Sequence, residues 1–207
     1  MERLVVSSTD VNLELIARAA DVLRSGGVVG FPTDTLYGLA VDPRRSDAVE
    51  RLFLLKGRDL TAAVPLIAAS FDQAAEAATL GPRERRVAKA FWPGPLSIVA
   101  PANTCVSPHA LAGGTTVAIR VPAHAVARQL ATALGFPITA TSANRSGQRA
   151  ADSADAVAEA LPGVDLLLDG GRAPGGAPST IIAFDRAGPV LVRDGAIAWE
   201  RVLKSLQ

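Results

Sequence analysis

The chain has a single cysteine, Cys105, in 207 residues. No intramolecular disulfide can form, and a reducing compartment is the simpler home. Histidine is almost as scarce, with only His109 and His124. Cys105 and His109 stand four apart in a proline-flanked loop without a second ligand pair, so no zinc site is expected, nor any other metal site in the protein. No apolar run approaches the ~20 residues of a membrane-spanning helix. Met1-Glu2-Arg3 lacks the apolar core of a signal peptide. The expectation is a cytoplasmic protein with no membrane contact. A dominant charge is also lacking: 21 Lys+Arg face 20 Asp+Glu, for a net charge of +1. Bulk charge thus argues for neither a nucleic-acid coat nor an acidic binder, and any anion site must arise by local clustering. Common signatures are missing too. There is no GxxxxGK[ST] and no GxGxxG after a strand. Ser142 sits in TSAN, not GxSxG, with no histidine nearby in the chain. No carboxylate pair of the glycosidase type stands out. No repeat, low-complexity tract or linker divides the chain, so residues 1–207 read as one domain.

What is present is an ordinary globular composition, 49% hydrophobic and 20% charged. The organising stretch is GGVVGFPTDTLYGLAVDP, residues 26–43. Its apolar runs, 28–31 and 39–41, are too short for helices and suit buried strands. Pro32 ends the first ladder. The knot between them, Thr33-Asp34-Thr35 with Tyr37, then brings two hydroxyls, a carboxylate and a phenol to one rim. A plain polar turn capped by Asp34 is the simpler alternative. Elsewhere strands and helices alternate. Thr9 or Asp10 caps a helix ending near Arg24, and Ser46 caps one that runs into Lys56-Gly57-Arg58. Ser70 with Gln73 resembles a capping box, and Ser153 caps a helix to about Leu161. Residues 138–140 form a strand leading into TSAN. Segments 180–184 and 190–192 form a hairpin. The class is α/β, a mostly wound sheet with some antiparallel edges.

Sites in open α/β sheets lie off strand ends. The polar residues there are Thr33, Asp34, Thr35, Lys56, Arg58, Arg120, Ser142, Asn144, Ser179, Thr180 and Arg193. Four cations, several hydroxyls and one carboxylate suit a ligand bearing phosphates or carboxylates. Each residue also has a plain role open to it. Lys56 and Arg58 complement a helix dipole, Ser142 and Asn144 cap a turn, and Arg193-Asp194-Gly195 is itself a turn. The residues alone support an anion-binding α/β domain.

The chain resembles the threonylcarbamoyl-AMP synthase family, also called the YrdC-like domain. The matching blocks are GGVVGFPTDTLYGLAVDP (26–43), LFLLKGR (52–58), FWPGPLSIVAPA (91–102), TVAIRVPAH (116–124), PITATSANRSGQ (137–148), LLLDGG (166–171), STII (179–182) and VLVRDGAI (190–197). They run in family order over nearly the whole chain. The resemblance implies a twisted mixed β-sheet with helices on its faces and a basic concave cleft. It implies a nucleotidyltransferase that makes threonylcarbamoyl-adenylate and pyrophosphate from L-threonine, bicarbonate and ATP. Mg²⁺ comes with the ATP, and no tightly bound organic cofactor is implied. A downstream transferase complex then modifies a tRNA adenosine beside the anticodon. Because the chain stops at Gln207, the short single-domain form is expected.

By position, Thr35, Arg120, Ala140 and Ser179 match threonine contacts, with Arg120 expected on the substrate carboxylate. Arg58, Thr116, Ser142, Asn144, Ala150 and Arg193 match ATP contacts. Lys56 with Arg58, and Ser142 with Asn144, match the two pairs that separate synthases from a sister group on the same fold. They imply catalysis by positioning and electrostatics, without a covalent nucleophile. The segment Asp59-Leu60-Thr61-Ala62-Ala63-Val64 departs from the family's proline followed by Lys or Asn, and is expected to be a mobile lid with weakened ATP contacts. Asp34 is a shorter form of the usual glutamate. Two alternatives remain: a module binding double-stranded RNA or tRNA on the same basic face, and a sister protein that binds or hydrolyses the adenylate.

Overall fold

A computed structural model of the chain describes residues 1–59 and 61–207. Leu60, part of the expected lid, lies outside the described residues. In chain order the elements are β1 (Glu2–Val5), α1 (Leu13–Arg24), β2 (Val29–Phe31), β3 (Gly38–Ala40), α2 (Ser46–Lys56), β4 (Leu66–Ile67), α3 (Phe71–Ala77), α4 (Pro82–Phe91), β5 (Leu96–Pro101) and β6 (Thr116–Arg120). They continue with α5 (Ala125–Leu134), β7 (Ile138–Thr139), β8 (Thr141–Ser142), α6 (Ala154–Ala160), β9 (Leu166–Asp169), β10 (Thr180–Phe184), β11 (Pro189–Arg193) and α7 (Trp199–Leu206).

Local chemistry sets the helix ends. α1 begins at Asn12, whose Oδ1 accepts from the amides of Glu14 (2.9 Å) and Leu15 (3.4 Å). Thr9 and Asp10 do not cap it: they lie in the preceding turn, where Ser7 Oγ accepts from both their amides at 3.2 Å, too far from the first turn of a helix that starts at Leu13. α1 buries Ile16, Ala19, Ala20 and Leu23 and packs on α5, as an apolar stripe of this spacing should. Ser46 is the first residue of α2 rather than its cap; Arg45 holds the cap position without a side-chain bond. Gly57, at φ 60°, ends α2 in the left-handed conformation, with Arg58 N bonding back to Phe53 O at 3.0 Å. Lys56 is thereby kept in the helix and Arg58 is thrown clear of it. Ser70 caps α3 through Gln73 N at 3.1 Å, while Gln73 Oε1 closes the box on Ala69 N, one residue early.

The class is mixed α/β, as the sequence indicates, but the strands form two sheets instead of one. Among the described residues a five-stranded sheet runs β1-β9-β2-β3-β8 and a six-stranded sheet runs β11-β10-β5-β6-β4-β7. Both mix parallel and antiparallel pairs. The expected strand 138–140 is where they part. Leu66 pairs with Thr139 in the six-stranded sheet, whereas Leu39 pairs with Thr141 in the five-stranded one. Ala140 is the crossing point, its amide held by Pro65 O at 2.8 Å. Thr139 is fully buried and its Oγ1 accepts from Val41 N at 2.8 Å, which stitches the two sheets just below the crossing. Among the described residues no helix is long and apolar enough to cross a membrane.

Candidate active site

Phe31, wholly buried, anchors the end of β2; burying such a ring is worth roughly 1.5–3 kcal/mol. Beyond it, Pro32 turns the chain out and Thr33 builds the knot. Thr33 Oγ1 accepts from the amides of Thr35 (3.2 Å) and Leu36 (3.3 Å) and donates to Leu36 O at 2.7 Å. Its proton is thereby committed. In the 3.2 Å contact between the two hydroxyls Thr35 must donate, which leaves the lone pairs of Thr35 Oγ1 as acceptors. Tyr37 does not offer its phenol to the rim. Its hydroxyl donates to Gly171 O (2.7 Å) and accepts from Gly170 N (3.0 Å), locking the loop after β9. Burial pushes its pKa above the usual tyrosine value. Asp34 does not cap the turn either. It reaches across to the six-stranded sheet, where Arg120 Nη1 lies 3.0 Å from Oδ1 and 3.2 Å from Oδ2.

Lys56 is 4% exposed. Its Nζ donates to the backbone carbonyls of Ser142 and Asn144, and Ser146 N returns a bond to Lys56 O at 2.8 Å. Lys56 thus braces the TSAN wall from behind. Asn144 is braced likewise. Its Nδ2 donates to Arg145 O (2.7 Å) and Gln148 O (2.9 Å), while its Oδ1 is buried without a protein partner. Burial, with repulsion from Arg58 second, lowers the Lys56 pKa to about 8. An unfolded lysine titrates near 10.4. Between these values the unfolded chain holds the proton that the folded protein has released, so stability contributed by Lys56 rises as pH rises. Denaturant melts at pH 7.5, 9 and 10.5 should show the stability gap between wild type and Lys56→Met growing with pH. A flat gap would refute the assignment.

On the opposite wall Arg193 donates to Ser179 O (3.1 and 2.7 Å) and to Ser179 Oγ (3.0 Å), and Ser179 Oγ meets Ser97 Oγ at 3.1 Å. Burial, then Arg120, pushes the Arg193 pKa down. Thr180 faces away, spending its hydroxyl on the backbone of Ile197.

These walls enclose a cleft of about 320 Å³ between the two sheets. It brings together Thr35, Arg58, Arg120, Ala140, Ser142, Ser179 and Arg193. Lys56 and Asn144 stand behind its wall. Thr116 opens β6, four residues or ~13 Å of strand from Arg120, and is not part of the lining. Ala150 lines a second cavity with Arg149 and Arg172. The sequence reading missed Ser97, Pro178, Ile181, Leu66 and Ile67. Ser97 carried a signal, a hydroxyl inside the apolar run 96–100. Leu66, Ile67 and Ile181 are apolar strand residues and Pro178 lies just before β10, with nothing to mark them. Among the described residues the lining holds three arginines and no carboxylate, so the cleft is built for anions. Among the described residues no three His, Cys, Asp or Glu side chains group to hold a metal ion.

The sequence model of the Sua5/YciO/YrdC family, described as "Telomere recombination", matches residues 21–195. The chain belongs to this family. Within it, the chain is 41% identical over 189 residues to the threonylcarbamoyl-AMP synthase of Pyrococcus abyssi, covering 90% of this chain and 55% of that relative. It is 41% identical over 180 residues to the enzyme of the same name from Halorhodospira halophila, covering 86% and 94%. The chain therefore spans about half the length of the archaeal relative. The crystal structure of P. abyssi Sua5 complexed with L-threonine superposes with a TM-score of 0.93 at 36% identity, covering 100% of this chain and 61% of that one. The two-sheet architecture is thus the Sua5/YciO/YrdC fold.

Proposed function

We propose that this protein is an L-threonylcarbamoyladenylate synthase. The observation that carries the reading is the cleft between the sheets, where three arginines meet Thr35, Ser142 and Ser179 without a carboxylate in the lining. In the proposed reaction the threonine amine attacks the carbon of bicarbonate, and water leaves to give a carbamate. A carbamate oxygen then attacks the α-phosphorus of ATP, and pyrophosphate departs with the electrons of the broken P–O bond. No step needs a protein nucleophile. The chain's task is to hold reactants in line and to stabilise developing phosphate charge.

Arg120 takes the threonine carboxylate, and Thr35 Oγ1 accepts from its amine, in keeping with the free lone pairs on that oxygen. The Ser179 hydroxyl, oriented by Arg193, and the backbone at Ala140 complete that end. Arg58, Ser142 and Arg193 serve the triphosphate. Thr116 and Ala150 stand outside the lining and carry no weight here. Lys56 and Asn144 act through the TSAN wall. Among the described residues no His, Cys, Asp or Glu cluster is grouped to hold a metal, and Asp34 is committed to Arg120. Magnesium is accordingly part of the nucleotide substrate, held chiefly by phosphates. The product suits a transferase complex that moves the threonylcarbamoyl group onto a tRNA adenosine, and the proposed setting is the cytoplasm.

The test is pyrophosphate release from MgATP, bicarbonate and L-threonine. Release above a no-threonine control is expected. Its absence, with duplex RNA bound equally well with or without threonine, would replace the synthase by an RNA-binding module.

A further inference from the structure

Asp34 is the one acidic residue of the opening knot, and it does none of the knot's structural work. Thr33 caps the turn. Asp34 instead leaves its own sheet to pair with Arg120, and the two side chains are 15% and 10% exposed. Every other ion pair among the described residues has a partner at least 39% exposed. Such surface pairs contribute little, whereas a buried pair fixes the charge of its surroundings.

The geometry is one-sided. A single nitrogen, Nη1, meets both Asp34 oxygens. A guanidinium has five N–H donors in a planar fork, and among the described residues no other hydrogen bond engages this one. Arg120 lines the cleft whereas Asp34 does not. The carboxylate stands outside the lining, its Oδ2 also accepting from Ala123 N at 3.3 Å, and among the described residues no protein group takes the other guanidinium donors. His124, at the start of α5, feels the charges of Asp34 and Arg128, and Arg128 is tied to the carbonyls of Pro122 and Ala123.

We propose that Asp34 is a specificity-determining residue that sets this end of the cleft to accept one carboxylate and to refuse phosphate. The proposal rests on reading the Arg120 end as the amino-acid end. Arg120 and Arg193 line the same cleft, and Arg193 feels the charge of Arg120. With Asp34 ionised, the Arg120 charge is offset and its N–H donors are left for an α-carboxylate, while Arg193, which serves the triphosphate, keeps its charge. Without it, two arginines would face the cleft uncompensated. That is an attractive seat for phosphate, which carries between one and two charges near neutral pH, and ATP or released pyrophosphate would then compete for the amino-acid end. Asp34 thus keeps two anions of one reaction in separate places.

The experiment is calorimetric titration of inorganic phosphate and, separately, of L-threonine into wild type, Asp34→Asn, Asp34→Glu, Arg120→Ala and the Asp34→Asn/Arg120→Ala double variant, each first checked by thermal melt. Asp34→Asn is expected to bind phosphate about tenfold tighter than wild type, and Asp34→Glu to stay near wild type. The gain should vanish in the double variant, which locates it at Arg120. A gain below threefold, or one that survives loss of Arg120, overturns the proposal. Should Asp34→Asn fail to fold, Asp34→Ser takes its place. If wild type binds no L-threonine, the synthase reading fails at this end, while the phosphate comparison still decides what Asp34 does.

Discussion

Replacing Arg58 with alanine is expected to cut pyrophosphate release at least 10³-fold while moving the melting temperature by no more than about 2 °C. Gly57 ends α2 and projects Arg58 into the cleft. Its guanidinium lies 5.5 Å from the Phe53 ring centroid, and among the described residues it makes neither a hydrogen bond nor an ion pair. The fold asks almost nothing of this side chain beyond a weak cation–π contact worth about 0.5–1 kcal/mol. The proposed chemistry asks much of it. Arginines that meet transferring phosphoryl groups contribute roughly 10³–10⁵ in rate, because preorganised charge needs no rearrangement as the transition state forms. A variant that retains a tenth of wild-type release would remove Arg58 from the site.

Lys56→Met is expected to do both kinds of damage. Two backbone carbonyls, those of Ser142 and Asn144, lose their shared donor inside the protein. Buried unpaired groups cost about 1–3 kcal/mol each, partly offset because the poorly solvated ammonium goes as well. The net loss should be about 2 kcal/mol, or a fall of ~4–8 °C in melting temperature for a chain of this size. Release should fall at least 10²-fold, since a wall displaced by an ångström misaligns what it holds. Differential scanning calorimetry beside the pyrophosphate assay reads both. Lost activity with an unchanged melting temperature would mean that Lys56 meets the ligand directly, contrary to its position.

Those two residues also mark what a sequence can disclose. Lys56 and Arg58 are adjacent members of one motif, and both were legible as cations at a helix end. Their opposite duties were not, because a left-handed glycine between them turns one inward and one outward. Helix bodies were legible from apolar spacing, but caps were not. Thr9, Asp10 and Asn12 are all good caps, and the choice fell to Asn12 because Thr9 and Asp10 are drawn into a turn around Ser7 and only Asn12 adjoins the first helical residue. The split of segment 138–142 was hidden because a strand that changes sheet has the same composition as one that does not. Asp34 and Arg120 were both singled out, yet their pairing joins positions 86 apart and depends on how the two sheets face each other. Tyr37 stood out as the only tyrosine. Its hydroxyl went to the loop at Gly170, a partner that only the closed fold supplies.

The crossing at Ala140 has a consequence for how the reactants communicate. Thr35 and Ser142 lie on the side of one sheet, and Arg120, Ser179 and Arg193 on the side of the other, and the strand that changes sheet at Ala140 runs beside the cleft. A molecule that touches both walls is therefore a removable crosslink. The first reactant to bridge them stills their relative breathing, and the second finds the halves already docked. On the proposed reading, threonine and nucleotide should consequently strengthen each other's hold without sharing a single contact.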